Sequence, residues 1–199
     1  PLKTIITAKK LENSLLQSKT TCLNSERNDD MKLIVAVDKE WGIGYKGDLL
    51  ARVRADLMNF KDLTYGKTVI LGSNTLSTFP GGKALKNRTN IVLHPSPEYH
   101  PDNTIVVHSI VELLKKVKEF NSHDVFVIGG ASVYRQLLPY CDTAYVTKFD
   151  KSFEKDVYFP NLDEDPAWKM VWSGDRQISD PEKDTEQNLV FYFTEYKRV

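Results

Sequence analysis

The chain has 199 residues, with 27 basic and 27 acidic side chains and a formal net charge of zero. This balance gives no electrostatic attraction to nucleic acid or to an anionic membrane surface, so we expect neither as a partner. Its two cysteines and four histidines show neither a disulfide framework nor the spacing of metal ligands, so we expect no bound metal and a cytoplasmic location.

Residues 1–30 differ in composition from the rest of the chain. They are rich in Lys, Ser, Thr and Asn and end in a polar run over residues 24–30. They lack the charged start, apolar centre and cleavage site of a secretory signal. We predict an appended segment, native or artificial, that is partly helical at most. A docking helix or a partner-binding tail is the alternative.

The first predicted strand and the loop after it begin the ordered part of the chain. Residues 32–37 form a continuous apolar run, which is typical of a strand covered on both faces. Residues 38–50 are predicted as a loop in which three glycines permit conformations that other residues resist: Gly42, Gly44 and Gly47. Trp41 and Ile43 lie between them, and a long loop beside a strand end is a common place for function.

Residues 51–62 are predicted as a helix with an acid beside its apolar face. Val53, Leu57, Phe60 and Leu63 recur at helical spacing and predict a stripe that faces the core. Asp56 lies next to this stripe, where an unpaired carboxylate is costly to bury. Asp56 is therefore either a functional acid or a solvated residue at the edge of the stripe.

Strands and helices alternate through most of the remaining chain. The predicted strands cover residues 68–72, 90–93, 104–107, 124–128, 143–148, 168–172 and 188–196, and the predicted helices begin at residues 73, 109 and 131. The alternation predicts one three-layer α/β domain over 31–199. Its central sheet is mostly parallel, with helices on both faces and an antiparallel C-terminal edge hairpin.

Ligands bind such sheets beyond the carboxyl ends of the strands. Residues 72–75 and 128–134 each join a strand directly to a helix start, which presents free backbone N–H groups to an anion. The pair Gly129 and Gly130 lets the backbone approach a ligand closely. These pieces are compatible with the phosphates of a dinucleotide, although the Gly-x-Gly-x-x-Gly spacing is absent and an ordinary tight turn is the alternative.

Several motifs over 31–199 resemble, in order and spacing, those of the dihydrofolate reductase family. They are Ala36-Val-Asp with Trp41-Gly-Ile-Gly, Asp56-Leu-x-x-Phe-Lys, Val69-Ile-Leu-Gly with Thr75, Asn87-Arg-Thr-Asn-Ile-Val-Leu, Val127-Ile-Gly-Gly-Ala-Ser-Val-Tyr, Tyr145-Val-Thr and Asp156-x-x-Phe-Pro. Residues 1–30 have no counterpart in the family.

The resemblance implies reduction of 7,8-dihydrofolate to 5,6,7,8-tetrahydrofolate by hydride transfer from a nicotinamide dinucleotide, with protonation at N5 of the pterin. Asp56 would bind the 2-amino and ring-nitrogen edge of the pterin, and Thr147 would hydrogen-bond that carboxylate. Burial is expected to raise the pKa of Asp56. Arg88 would clamp the α-carboxylate of the glutamate tail. The other implied substrate contacts are Ile34, Ala36, Leu57, Phe60, Thr78, Phe79 and Ile128.

The cofactor implied by the resemblance is NADPH, with residues 41–50 as a lid over the nicotinamide. The implied cofactor contacts are Ala36, Ile43, Gly44, Gly72, Ser73, Asn74, Thr75, Leu93, His94, Gly129, Gly130, Ala131, Ser132, Val133 and Tyr134. Ser73 and Ser132 stand where the family often has basic residues, so NADH stays open beside NADPH. Ala51 replaces the usual lid tryptophan and follows Leu50 rather than proline, which predicts a roomier pocket.

As partners we expect dihydrofolate and antifolate small molecules, bound by a monomer. Two alternatives stay open. One is a riboflavin-pathway reductase, which shares the fold type. The other is a catalytically weakened pterin-binding module, which Ala51, Ser73 and Ser132 favour. The Asp56 motif, together with Thr147 and Arg88, argues for folate.

Overall fold

A nine-stranded sheet forms the centre of the computed structural model, which describes residues 30–199. The strands are β1 (Met31–Val37), β2 (Gly42–Tyr45), β3 (Asp48–Leu49), β4 (Thr68–Gly72), β5 (Thr89–Leu93), β6 (Ile105–Val107), β7 (Val125–Gly129), β8 (Cys141–Phe149), β9 (Val157–Tyr158), β10 (Trp168–Ser173), β11 (Gln177–Ile178) and β12 (Val190–Arg198). The helices are α1 (Arg54–Thr64), α2 (Ser73–Thr78), α3 (Ile110–Val117) and α4 (Ala131–Leu137).

The order of the strands in the large sheet is β10-β12-β8-β1-β7-β4-β5-β6, and β11 pairs with β12. Every pairing from β8 to β6 is parallel. β12 runs antiparallel to β8, and β10 runs antiparallel to β12. The predicted mostly parallel sheet with an antiparallel C-terminal edge is confirmed.

Alternate residues of the central strands enter different cores on the two faces of the sheet. In β1, Leu33 and Val35 join a core that includes residues of α3 and α4, whereas Ile34 joins the core under α1 and α2. In β4, Ile70 and Val69 divide in the same way. Successive side chains of a strand point to opposite faces, so a strand covered by helices on both sides is apolar throughout. The predicted three layers are confirmed.

Helix α1 begins three residues later than predicted and buries fewer residues. Its N-cap residue, Val53, is extended, with φ −105° and ψ 120°. Val53 is buried, and Phe60 and Leu63 pack against the core under the sheet. The predicted stripe is wrong at Leu57, whose side chain is 46% exposed because it faces a cavity rather than the core.

The predicted loop over residues 38–50 contains a small hairpin, because β2 pairs with β3 on one side and with β9 on the other. Of its three glycines only Gly47 has a positive φ, 84°. Gly42 is extended and is needed for another reason: a Cβ atom there would collide with the side chain of Lys155. Trp41 is buried and stacks on Phe159, so this residue belongs to the core rather than to an exposed loop.

The predicted appended segment, apart from Asp30, lies outside the described residues. None of the helices within 30–199 has the length and the apolar character that crossing a membrane requires. In the same residues no group of three or more His, Cys, Asp and Glu side chains is arranged to hold a metal ion.

Candidate active site

Two adjoining cavities open at the carboxyl ends of the central parallel strands. The larger, about 670 Å³, contains Gly129 and Gly130 in its wall and is called the Gly-Gly cavity. The smaller, about 530 Å³, contains Asp56 and is called the Asp56 cavity. Ala36, Ile128 and several other residues line both, so the two cavities meet over the ends of β1 and β7. This is the edge at which the parallel sheet predicts a ligand.

Asp56 lies in the first turn of α1 and faces the cavity named after it. Burial raises the pKa of its carboxyl group to about 6, and a hydrogen bond with the Thr147 side chain acts in the opposite direction. Thr147 is 2% exposed on β8. A carboxyl group that titrates near neutrality in an apolar pocket is suited to proton transfer.

The predicted substrate contacts all lie in the wall of the Asp56 cavity: Ile34, Ala36, Leu57, Phe60, Thr78, Phe79, Arg88 and Ile128. They come from five stretches of the chain, which the fold brings together. Most of them are apolar, so water inside the cavity has few partners. Ala51 and Leu50 line the same cavity, and Ala51 also packs beside Phe149.

Arg88 is held in place at the wall of the Asp56 cavity. Its Nε donates to Thr64 Oγ1 at 2.8 Å, and its Nη1 donates to the Lys86 carbonyl at 3.0 Å. Its guanidinium carbon lies 5.8 Å from the centre of the Phe60 ring. Burial lowers the pKa of Arg88, but a guanidinium remains cationic at neutral pH. A fixed cation at this wall can pair with an anionic group of a ligand.

Two closely packed glycine turns line the Gly-Gly cavity. A Cβ atom on Gly130 would lie 3.0 Å from Thr75 Oγ1, and one on Gly72 would lie 3.2 Å from Val133 Cγ2. The turn from β4 to α2 therefore packs directly against the turn from β7 to α4. Glycine keeps the backbone of both turns open to a ligand.

Every predicted cofactor contact except His94 lines the Gly-Gly cavity. The ring of His94 packs against Tyr99 with 4.1 Å between ring centres, and its Nδ1 accepts from the Ser96 N–H at 3.2 Å. Pro95 and His108 occupy this part of the wall instead. Gly47, Asp48 and Leu49 in this wall belong to the predicted lid. The lining residues outside every predicted site are Val35, Pro95, His108, Ser109, Ile110, Gln136 and Val157.

One signal in the sequence points to some of these additional residues. Ser109 caps α3 by accepting from the Glu112 N–H at 3.1 Å, and the capping pattern predicts this helix start. Since the preceding strand is parallel to its neighbours, the helix start had to lie at the ligand edge of the sheet. His108 and Ser109 could have been placed there on that ground.

The Gly-Gly cavity offers little positive charge. Among the described residues that line it there is no Arg and no Lys, and its ionisable side chains are Asp48, His108 and Tyr134. The Tyr134 hydroxyl donates to the Ile34 carbonyl at 2.6 Å and is deeply buried. An anionic ligand would therefore rely mainly on backbone and hydroxyl donors at this wall.

The β2–β3 hairpin borders both cavities and is tied to the segment before β9. Gly44 accepts from the Asp156 N–H at 3.1 Å, and the Lys46 N–H donates to Asp156 Oδ2 at 3.0 Å. Ile43 and Leu49 of the hairpin line both cavities. The predicted lid thus stands in a position from which it can cover them.

Comparison with known proteins decides the family. A family model described as dihydrofolate reductase matches residues 30–198. The chain belongs to the dihydrofolate reductase family. This match confirms the resemblance inferred from the motifs, and it favours folate over the riboflavin-pathway alternative.

Individual relatives agree with the family match. The chain is 35% identical over 169 residues to a dihydrofolate reductase of Staphylococcus haemolyticus, a match that covers 85% of this chain and 96% of that protein. It is 34% identical to a dihydrofolate reductase of Aedes albopictus, in a match that covers 84% of this chain and 96% of that protein. A solved structure of dihydrofolate reductase from Enterococcus faecalis, complexed with NADP(H) and RAB-propyl, matches with a TM-score of 0.74 and 31% identity over 86% of this chain and 97% of that one.

Proposed function

We propose that Asp56 is the catalytic acid of this family member, assisted by Thr147. The chain catalyses the NADPH-dependent reduction of 7,8-dihydrofolate to 5,6,7,8-tetrahydrofolate. The observation that carries the assignment is the position of Asp56 in the wall of an apolar cavity that adjoins the Gly-Gly cavity, where burial raises its pKa to about 6. A carboxyl group this close to neutrality can hold or release a proton during turnover.

The Asp56 cavity suits a flat pterin with an amine edge. The two carboxylate oxygens of Asp56 match two parallel donors, the 2-amino group and the neighbouring ring nitrogen. A hydrogen bond with the Thr147 side chain would orient the carboxyl group. Phe60, Ile34 and Ile128 supply apolar walls that exclude water from the reacting ring.

The proton that N5 of the pterin must gain depends on Asp56. With a pKa of about 6, roughly a tenth of the Asp56 carboxyl groups carries a proton at pH 7, far more than at the ordinary pKa of an aspartate. Its charged form pairs with the two donors of the pterin edge and stabilises the positive charge that the ring gains when N5 is protonated, and its neutral form holds a proton. Asp56 thereby promotes protonation at N5 whether the proton arrives from the acid itself or from water.

Arg88 binds the end of the substrate opposite the pterin, the glutamate tail. The glutamate tail of dihydrofolate carries an α-carboxylate, and a guanidinium pairs with a carboxylate through two parallel hydrogen bonds. Thr64 and Lys86 already hold the guanidinium in position, so less side-chain entropy is lost on binding. The same two anchors, Asp56 and Arg88, would bind antifolates that copy the pterin and the tail.

The Gly-Gly cavity fits NADPH in size and in the kind of group it presents. The glycine turns would hold the pyrophosphate through backbone N–H groups, and Ser73, Thr75 and Ser132 would add hydroxyl donors. When bound, NADPH supplies the hydride that C6 of the pterin accepts. Ile43 and Gly44 of the β2–β3 hairpin would cover the cofactor from above. We further propose that the protein works as a cytoplasmic monomer.

The test compares two aspartates on the same helix. Asp56→Asn keeps the shape of the side chain but removes its charge and its raised pKa, whereas Asp62→Asn alters the exposed face of α1. We expect Asp56→Asn to lower kcat/KM for dihydrofolate by roughly a hundred-fold or more, within the usual range for an acid–base residue, and Asp62→Asn to leave it unchanged. NADPH oxidation is followed by absorbance, and circular dichroism checks the fold.

Two results would change the assignment. Near-normal turnover of Asp56→Asn would remove Asp56 from the reaction. A folded wild-type protein that binds an antifolate but oxidises no NADPH would be a pterin-binding module, the alternative that Ala51, Ser73 and Ser132 keep open.

A further inference from the structure

The first turn of α1 takes its cap from a side chain far along the chain. A helix begins with backbone N–H groups that have no partner within the helix. Val53, the N-cap residue of α1, offers no side-chain acceptor. Instead, the Arg54 N–H donates to Asp184 Oδ1 at 2.7 Å, across 130 positions of sequence. A carboxylate is a strong acceptor, and its charge is favourable at a helix N-terminus.

The segment that carries this cap, residues 179–189, is itself well held. The Asp180 N–H donates to Asp184 Oδ2 at 2.7 Å, so both oxygens of the capping carboxylate are engaged. The buried Ser179 hydroxyl donates to the Glu186 carbonyl at 2.6 Å and accepts from the Leu189 N–H at 2.8 Å. The capping carboxylate is therefore held by its own segment as well as by its bond to the helix.

The same segment also fixes the two residues before α1. The Arg52 N–H donates to Thr185 Oγ1 at 2.8 Å, and the Thr185 N–H donates to the Arg52 carbonyl at 3.2 Å. Val53 packs in one buried cluster with Leu189. Hydrogen bonds and apolar packing from one segment thus meet at the start of α1.

We propose that Asp184 is a positioning residue for catalysis, which acts by holding the first turn of α1 and with it Asp56. This inference rests on the proposed role of Asp56. Asp56 is the third residue of α1, two positions after Arg54, whose N–H donates to Asp184. A first turn without its acceptor frays, and a frayed turn lets Asp56 move and admits water to its carboxyl group. The pKa of Asp56 is set by burial and by the hydrogen bond with Thr147, and Asp184 is not among its causes. Asp184 therefore acts on the position of Asp56 rather than through its own charge.

The experiment compares Asp184→Ala, Asp184→Asn and Glu186→Ala. Asn keeps an oxygen for the Arg54 N–H and gives up only the acceptor for the Asp180 N–H, whereas Ala removes both acceptors. Glu186 lies in the same segment as Asp184. Its replacement by Ala breaks the ion pair with Lys151 and leaves the cap intact. We expect Asp184→Ala to lower kcat/KM for dihydrofolate roughly five-fold, the size of one lost cap, with KM for NADPH unchanged. Its rate profile should move to lower pH, because a hydrated Asp56 has a lower pKa. Asn should keep most of the activity, and Glu186→Ala all of it.

Binding of a 2,4-diaminopteridine antifolate, measured by calorimetry, gives a second readout that needs no turnover. We expect the Kd of Asp184→Ala to rise about five-fold, since the antifolate would pair with Asp56. Unchanged kinetics, an unchanged profile and an unchanged Kd would overturn the positioning role, as would an equal loss in Asp184→Asn. Failure of the proposed function looks different: either Asp56→Asn keeps near-normal turnover, or the wild type binds the antifolate but oxidises no NADPH.

Discussion

Lys155 and Asp38 form a buried ion pair, with 2.7 Å between Lys155 Nζ and Asp38 Oδ2 and side chains that are 5% and 0% exposed. Asp38 Oδ1 also accepts from the N–H groups of Glu40 at 2.9 Å and Gly42 at 2.8 Å. The pair joins the turn after β1 to the segment before β9. Since β2 pairs with β9, it fixes the base of the hairpin that borders both cavities.

Breaking this ion pair should destabilise the protein. Lys155→Met leaves the Asp38 carboxylate buried without its cation, and we expect the free energy of unfolding to fall by about 3 kcal/mol. Lys39→Met is the control, because Lys39 pairs with Asp150 in an exposed position and should cost less than about 1 kcal/mol. Urea unfolding measures both. If the two variants lost the same free energy of unfolding, the buried Lys155–Asp38 pair would contribute no more to stability than the exposed Lys39–Asp150 pair.

The Asp38 carboxylate should also make the stability of the protein depend on pH in the acid range. Burial acts to raise the pKa of Asp38, but hydrogen bonds from Lys155 and from three backbone N–H groups outweigh it and hold the pKa below its usual range. The stabilisation is therefore present above the unfolded pKa of roughly 3.9 and is lost as the pH falls through the lower folded pKa. Unfolding midpoints of the wild type and Asp38→Asn should converge in acid, and parallel curves would contradict this.

Catalysis should lose rate as the pH rises past the pKa of Asp56, about 6, since the protonated fraction then declines. The hydrogen bond from Thr147 lowers that pKa. We therefore expect Thr147→Val to move the midpoint of the kcat/KM profile to higher pH. A midpoint that stays in place or moves to lower pH would show that Thr147 does not favour the charged form.

Thr64 should matter for the substrate tail although it lies outside the cavity wall. Thr64→Val keeps the volume but removes the oxygen that receives Arg88 Nε. We expect KM for dihydrofolate to rise about five-fold, as one charged hydrogen bond orients the guanidinium. A dihydropterin without the glutamate tail should show no change in KM. A rise with both substrates would point to a general distortion of α1 instead.

Cofactor selectivity should respond to charge at Ser73. The wall of the Gly-Gly cavity contains no Arg or Lys among the described residues, so a 2′-phosphate bound there would meet little positive charge. Ser73→Arg should raise the ratio of kcat/KM for NADPH over NADH by about ten-fold, which one charged partner can supply. Ser77→Arg, on the exposed side of α2, is the control and should leave the ratio unchanged.

The predictions from sequence succeeded where the pattern is local. Strands β1, β4 and β7 each contain a continuous apolar run, which burial on both faces of the sheet explains. They failed where a distant partner decides the structure. Leu57 has the spacing of a core residue, yet the cavity leaves it exposed. Residues 38–50 have no strand pattern in their sequence. Their hairpin was missed because it depends on pairing with the distant strand β9.

By itself the sequence determined the order of strands and helices, the glycine pair at a strand end and an acid beside an apolar stripe. All of these follow from residue periods and turn chemistry within a few positions. Only the tertiary structure decided that Thr64 holds Arg88 and that Asp184 caps α1. Such contacts join residues up to 130 positions apart, and no local period records which of them will meet once the sheet has formed.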